Sequence, residues 1–395
     1  MKKRRIGILT GGGDVPGLNS VIKSVVYRGW ENGVEVVGIR KGFEGLTHLD
    51  LDDPASRSRY VLDLNRENTL TIDRSGGTIL HTSRVGPSTV RNLPPHLAGR
   101  VFPSSLGKGG LTHDLTSQVL ENLERLGIDS LIAIGGDGTL KSAAQLERLG
   151  VKVMGIPKTM DNDVQSTEYC VGFSTAITRA TAAIDRQRTT VGSHERVGIF
   201  RVFGRDAGFT ALYTAHVTSN RCVIPEYPVD LDKLTDLLVT EKRGNPSNYV
   251  LVILSEGATW AGYEALEYGR PDALGRRKKV SVAEVLSEEI QARTGEETIV
   301  SDLTYDLRSG DPDFIDKLVA STFGTLALDA LLDGARGLMS AIVNGCYELV
   351  PIPDPALGPR KVDVSTMYNT ERYRPLYGNK RHLPVFLTRV APPPG

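Results

Sequence analysis

The chain has 395 residues, of which 40% are hydrophobic and 24% charged, so neither one small module nor wholesale disorder fits it. Lysine plus arginine and aspartate plus glutamate number 47 each, which leaves no net charge and removes the usual electrostatic argument for a nucleic acid partner. The three cysteines, Cys170, Cys222 and Cys346, lack metal-ligand spacing and suit a reducing cytoplasm, and no apolar run approaches the roughly 18 residues of a membrane span.

Lys2–Arg5 run directly into Ile6-Gly-Ile-Leu-Thr10, too short an apolar stretch for a signal-peptide core, so a cytoplasmic protein is expected. Arg5–Leu9 reads as a strand ending at Gly11-Gly-Gly-Asp14. Ser20–Trp30, apolar at 21, 22, 25, 26 and 30, reads as a helix whose N-terminus points back at that glycine turn. Val34–Ile39 ends at Lys41-Gly42, and Ser130–Ile134 ends at Gly135-Gly-Asp-Gly138 before a helical stretch, Leu140–Leu149. Val151–Ile156 leads into Pro157-Lys158, and Tyr249–Leu254 into Ser255-Glu-Gly257. Continuous apolar strands alternating with helices predict an α/β fold with parallel sheets covered on both faces. Ligands of such sheets sit beyond the carboxyl ends of the strands, where these Gly, Asp, Lys and Glu residues collect. Residues from about 258 to 300 read as an exposed excursion, with Arg276-Arg-Lys-Lys279 on a solvated surface, followed by a helix, Val282–Thr294; Ala391–Gly395 reads as a non-helical end.

Three turns carry the chemistry. Thr10-Gly-Gly-Gly-Asp-Val-Pro-Gly-Leu-Asn19 joins a strand to a helix, and its glycines let backbone N–H groups approach an anion; a tight turn without a ligand is the alternative. Neither G-x-x-x-x-G-K-[ST] nor G-x-G-x-x-G is present. Gly135-Gly-Asp-Gly-Thr139 sets a carboxylate between glycines at a strand end, suited to Mg²⁺ beside a nucleotide phosphate, and NAD and diacylglycerol kinases use a similar turn. Gly155-Ile-Pro-Lys-Thr-Met-Asp-Asn-Asp163 supplies two carboxylates, a hydroxyl and an ammonium. One carboxylate can accept the proton of an attacking hydroxyl, the other can help hold metal, and the ammonium can stabilise phosphate charge.

These three segments, in this order and spacing, resemble the 6-phosphofructokinases. Gly76-Gly-Thr-Ile-Leu-His-Thr-Ser-Arg84, His194-Glu-Arg196, Val202-Phe-Gly-Arg-Asp-Ala-Gly208, Val223-Ile-Pro-Glu226, Leu254-Ser-Glu-Gly257 and Leu307-Arg-Ser-Gly310 extend the resemblance over roughly residues 5 to 335. It implies two doubly wound α/β lobes with mainly parallel sheets and the active site in a cleft. Residues 1–155 would form the phosphoryl-donor lobe, 156–315 the sugar-phosphate lobe, and 316–395 the returning helices and a C-terminal extension. The implied reaction is glycolytic transfer of a phosphoryl group from ATP, with Mg²⁺, to the C1 hydroxyl of fructose 6-phosphate. Asp161 would be the general base, Thr159 would position the sugar, and Asp137 and Asp163 would serve the metal. Gly13, Arg84 and Arg205 would contact the transferred phosphoryl group, with Gly136, Gly138, Thr139 and Lys158 around the donor. Phe203, Gly204 and Glu256 would face the sugar, and Arg196, Arg308 and Lys317 its 6-phosphate. In the family, residues matching Arg196 and Arg308 come from a neighbouring subunit, so a homodimer or homotetramer is implied. Glu226, although matched, is left out of the site because it could equally cap a turn.

Two positions bear on the donor. Gly138 leaves room for an adenine nucleotide where pyrophosphate-dependent members usually carry Asp, whereas Lys158 is typical of pyrophosphate users; the steric argument is weighted more heavily, and the pyrophosphate-dependent enzyme is the alternative. Phe203 stands where Met is usual and Lys317 where an Arg is expected, which opens the sugar to a related ketose phosphate such as sedoheptulose 7-phosphate. A catalytically silent paralogue is opposed by the presence of Asp137, Thr159, Asp161, Asp163 and Arg205. Tyr368–Tyr377, rich in aromatic and guanidinium groups, reads as a cap on a site or subunit contact, or as a packed C-terminal turn.

Overall fold

Strand β1 (Arg5–Thr10) leads through the glycine turn into α1 (Leu18–Glu31), β2 (Glu35–Ile39) and β3 (Val61–Leu64). After a long connection come β4 (Ser130–Gly135), α2 (Asp137–Arg148) and β5 (Lys152–Pro157). The computed structural model of the protein describes residues 4–107, 110–263, 267–268, 278–378, 381 and 385; residues 276–277 of the expected cationic run and the tail 391–395 lie outside the described residues. A second set follows: α3 (Phe173–Ser193), β6 (Val197–Val202), α4 (Phe209–Thr218), β7 (Arg221–Val223), α5 (Leu231–Gly244), β8 (Val250–Ser255), α6 (Val282–Thr294) and β9 (Thr298–Asp302). The long α7 (Phe314–Leu332) then leads to β10 (Leu338–Val343) and β11 (Cys346–Pro351).

The seven-stranded sheet has the order β11-β10-β5-β4-β1-β2-β3, parallel except for the two edge strands, and the four-stranded sheet, β9-β6-β8-β7, is parallel throughout. The fold is therefore α/β with mainly parallel sheets. The strands read as unbroken apolar runs because both faces are covered. Ile6, Ile8, Ile132 and Ile134 pack with Val21, Ile22 and Val25 of α1, while Leu9, Leu131 and Ala133 turn to the other face and pack with Phe43, Val119 and Leu123. α1 lies along α7, and the first of these cores continues through α3 into the four-stranded sheet. Among the described residues no helix is long and apolar enough to cross a membrane.

Register brings the loops together. Thr10 stands opposite Ile134, and Gly135 opposite Pro157, so β1, β4 and β5 end along one edge and deliver the three chemistry-bearing turns side by side. In the other sheet Val202 pairs with Ser255 and Arg201 with Asp302, which sets the loops after β6, β8 and β9 at a common edge as well. The helix expected over Ser20–Trp30 begins two residues earlier, at Leu18, and α6 coincides with its expected span. Tyr368–Tyr377 packs as a C-terminal turn on the second sheet: the Tyr368 hydroxyl donates to the Cys222 carbonyl at 2.7 Å, and the Cys222 N–H donates to the Tyr373 carbonyl at 2.9 Å.

Candidate active site

Two adjoining cavities fill the cleft, one of about 420 Å³ and one of about 550 Å³, and Gly13, Arg84, Lys158 and Thr159 line both. The smaller is walled by the glycine turn, by residues 83–89 and by the start of α2. Gly12 has φ +81°, a region that favours glycine, and its N–H donates to the Ser83 carbonyl at 2.8 Å, while that of Gly11 donates to Ile134 at 2.9 Å. Among the described residues the Gly13 N–H has no such backbone partner. α2 starts at Asp137 with Gly136 as its N-cap and no side-chain cap, so the end of a helix that favours negative charge opens on this cavity. Thr139 is buried, wedged so closely beneath the turns that a Cβ on Gly11 or Gly135 would stand 2.4 Å from its Oγ1. A Cβ on Gly138 would meet nothing within 4 Å, and beyond it the cavity runs on past Lys141 to Gln145.

The larger cavity collects side chains from both sheets: Thr159, Asp161 and Asp163 from the loop after β5, Phe203, Arg205 and Asp206 after β6, Glu256 after β8, and Arg308 after β9. Between the two carboxylates Asn162 takes φ +54°, a conformation Asn tolerates, and turns inward, accepting from the Cys170 N–H at 2.8 Å and donating to the Glu168 carbonyl at 2.9 Å. This locks the Asp161-Asn-Asp163 turn with both aspartates lining the cavity. Burial pushes Asp161 up to about 7, helped by Asp163 and opposed by the Arg205 backbone. Burial also raises Asp163, against the pull of Thr159. Asp137, open on its outer side, is pushed up to about 6 by desolvation of its inner side and then by Asp163 and Asp206. Lys158 is buried, donates from Nζ to the Gly13 carbonyl, and is brought down to about 8 by that burial and by Arg308. Its ammonium thus ties the loop after β5 to the glycine turn.

Arg205 reaches Glu256 at 3.3 Å with a side chain 70% exposed, a loose pair of little intrinsic worth that a ligand can displace. The Arg308 guanidinium lies 5.1 Å from the centre of the Phe203 ring and 5.9 Å from that of Tyr305, which fixes its orientation across the cavity. Arg308 therefore belongs to the cleft of its own chain, where the resemblance implied that it reaches in from a neighbour. Gly204, buried at φ +125°, lies under the loop and accepts from the Gly257 N–H at 2.9 Å; a Cβ there would meet the Ala207 carbonyl at 2.5 Å. Arg196 does not line this cleft. It precedes β6, at the end of the strand opposite the cavity, and binds Glu297 through Nε at 2.8 Å. Lys317, half-buried on the first turns of α7, lines neither cavity. Glu226 accepts from the N–H groups of Gly208 and Val362 at 2.9 and 2.8 Å, the turn-holding role that kept it out of the site.

Several residues in or beneath the cavities were not singled out from sequence. Lys141 and Gln145 recur four and eight residues after Asp137 on one helix face, a periodic signal that was there to be read. Asp206 adjoins Arg205, and Arg201, paired with Asp302 at 2.7 Å, points inward one strand position before Val202. Arg360 comes from beyond β11, and no local pattern marks it.

The comparisons with known proteins agree on one family. A sequence profile described as phosphofructokinase matches residues 5–331. An ATP-dependent 6-phosphofructokinase 3 of Streptomyces coelicolor is 37% identical over 89% of this chain and 94% of its own length. A pyrophosphate–fructose 6-phosphate 1-phosphotransferase of Amycolatopsis methanolica is also 37% identical, over 86% of this chain and 90% of its own. Among solved structures, a pyrophosphate-dependent phosphofructokinase from Nitrosospira multiformis superposes with a TM-score of 0.74 over 99% of this chain and 94% of that one; at 16% identity the likeness concerns the fold alone. The chain belongs to the phosphofructokinase family, and it is a phosphotransferase that acts on a hydroxyl group.

Proposed function

We propose that the protein is an ATP-dependent 6-phosphofructokinase, converting fructose 6-phosphate to fructose 1,6-bisphosphate in the cytoplasm. The observation that carries the choice of donor is the open space at Gly138. The glycine-walled cavity continues past it to Lys141 and Gln145, farther than a pyrophosphate needs. Aspartate at that position would put a carboxylate into the path of a nucleotide phosphate.

Asp161 accepts the proton of the C1 hydroxyl; its raised pKa makes it a stronger base than an ordinary carboxylate while leaving it largely ionised above neutrality. Thr159 holds the acceptor sugar, and Glu256 accepts from a sugar hydroxyl. Gly13 through its N–H, together with Arg84 and Arg205, meets the charge that develops on the transferred group. Arg308, Phe203 and the Gly204 loop shape the sugar-phosphate end. Gly136, Gly138, Thr139 and Lys158 surround the donor. Asp137 and Asp163 would hold Mg²⁺; burial raises both, and the neighbouring charges of Asp163 and Asp206 raise Asp137 further, as befits carboxylates short of positive charge. An Mg²⁺ ion beside a substrate phosphate needs only one or two protein carboxylates, and Asp137 and Asp163 line the adjoining cavities. When bound, Mg²⁺ would neutralise phosphate charge. Arg196, outside its own chain's cleft, serves the 6-phosphate site of a neighbouring copy in a homodimer or homotetramer.

The test is the initial rate of the purified chain with fructose 6-phosphate and Mg²⁺, supplied with ATP or pyrophosphate at matched concentrations. Turnover with ATP alone is expected. Turnover with pyrophosphate alone would overturn the donor assignment in favour of the reading that Lys158 supports, and a preference for sedoheptulose 7-phosphate would reassign the sugar.

A further inference from the structure

The family profile ends at residue 331, yet the segment that follows β11 passes under the start of α2 and the Asp161-Asn-Asp163 turn and reaches, through Glu226, the end of the loop bearing Arg205. The Ile352 N–H donates to the Gly337 carbonyl at 3.1 Å, anchoring the segment to the sheet. Pro353, Asp354, Pro355 and Gly358 then line a small cavity together with Asp137 and Gln165. Arg360 is buried: its N–H donates to the Asp163 carbonyl at 2.6 Å, and its guanidinium donates to the carbonyls of Asn162 at 2.6 Å and Glu168 at 3.3 Å while stacking 4.3 Å from the centre of the Phe209 ring. Two residues on, the Val362 N–H donates to the Glu226 carboxylate that also receives the Gly208 N–H, at the end of the loop bearing Arg205.

From this geometry, and resting on the phosphotransferase reading of the cleft, we infer that residues 352–362 form a strap that fixes the active-site loops relative to one another, and that Arg360 is the positioning residue for the Asp161-Asn-Asp163 turn. Arg360 touches the turn through its backbone and through carbonyls, from below the cavity, and it does not line the space where substrates sit. Its planar fork is suited to this role, because one group satisfies two carbonyls and packs on an aromatic face, which a methionine cannot do and a lysine does in part. Loss of the fork frees the turn, and a shift of about 1 Å at a general base costs rate more than binding.

The experiment compares the full-length parent with Arg360→Met and Arg360→Lys, using whichever donor the parent accepts, so that a wrong donor assignment leaves the comparison intact. The expected result is a fall in kcat of about tenfold or more for R360M, with both KM values within about threefold and part of the loss recovered in R360K. Hydrogen–deuterium exchange supplies a readout that needs no activity: faster exchange confined to residues 158–170 in either variant is expected. A folded R360M with kcat within about twofold of the parent, a loss that falls wholly on KM, or exchange in 158–170 equal to the parent's would overturn the proposal. If R360M does not fold, R360K carries both readouts. A parent that turns over neither donor would instead refute the functional reading, and the exchange result would then decide the strap by itself.

Discussion

The glycine-walled cavity owes its affinity for an anion to backbone: a turn at positive φ, the N–H of Gly13 and the uncapped start of α2. The neighbouring cavity is made of side chains, with the carboxylates of Asp161, Asp163 and Asp206 and the guanidinium groups of Arg205 and Arg308 all lining it. A wall of glycine is disturbed by what is added to it, a wall of charged side chains by what is taken away. Substitutions on the two sides should therefore fail in different ways.

The largest effect belongs to the side-chain wall. Asp161→Asn should lower kcat by about 10³-fold while leaving both KM values within a few-fold, measured by steady-state kinetics; a loss below about tenfold would remove Asp161 from the role of base. On the backbone wall the damaging change is an addition. Gly138→Asp should cut kcat/KM for ATP by about 10²-fold while leaving the KM for fructose 6-phosphate within a few-fold, and a loss below about tenfold would show that the position does not govern entry of the nucleotide.

A third contrast is in pH. Asp161, held near 7, must be ionised to accept a proton, so kcat/KM should decline as pH falls below about 7, a limb that the Asn variant lacks. Stability moves oppositely. A carboxyl raised in the folded state keeps its proton longer than in the unfolded chain, so its contribution is most favourable at low pH and is lost as pH rises through the folded value. D161N should accordingly melt above the parent at pH 8, with the difference shrinking toward pH 5; a constant difference would mean that charge at this site is not what destabilises it. The smallest effect is expected at Phe203→Met, a conservative apolar exchange that should change the KM for the sugar phosphate by about threefold or less and leave the donor KM unaltered.

What could be read from the chain alone follows from how local each cause is. The strands and their terminal turns were legible because a parallel strand covered on both faces is apolar throughout, and because Gly and Asp crowd its carboxyl end. The Asp161-Asn-Asp163 turn was legible for the same reason, although the inward role of Asn162 depends on Glu168 and Cys170, which its own neighbourhood does not announce. Arg360 was invisible: it acts through contacts with residues nearly two hundred positions earlier, and nothing in Gly358-Pro-Arg-Lys361 distinguishes a buried guanidinium from a surface one. Arg196 is a different case: the resemblance assigned it to a neighbouring copy's site, and in this chain it precedes β6, at the end of the sheet away from the cavity.

The order of strands also dictates a sequence of events during synthesis. The seven-stranded sheet draws β10 and β11 from residues 338–351, so β5 keeps an unpaired edge until nearly the whole chain has left the ribosome. The four-stranded sheet, contained within 197–302, has all its strands available earlier. Emerging chains stalled between those points would carry a closed later unit and an open earlier one, the kind of exposed strand edge that chaperones attend to.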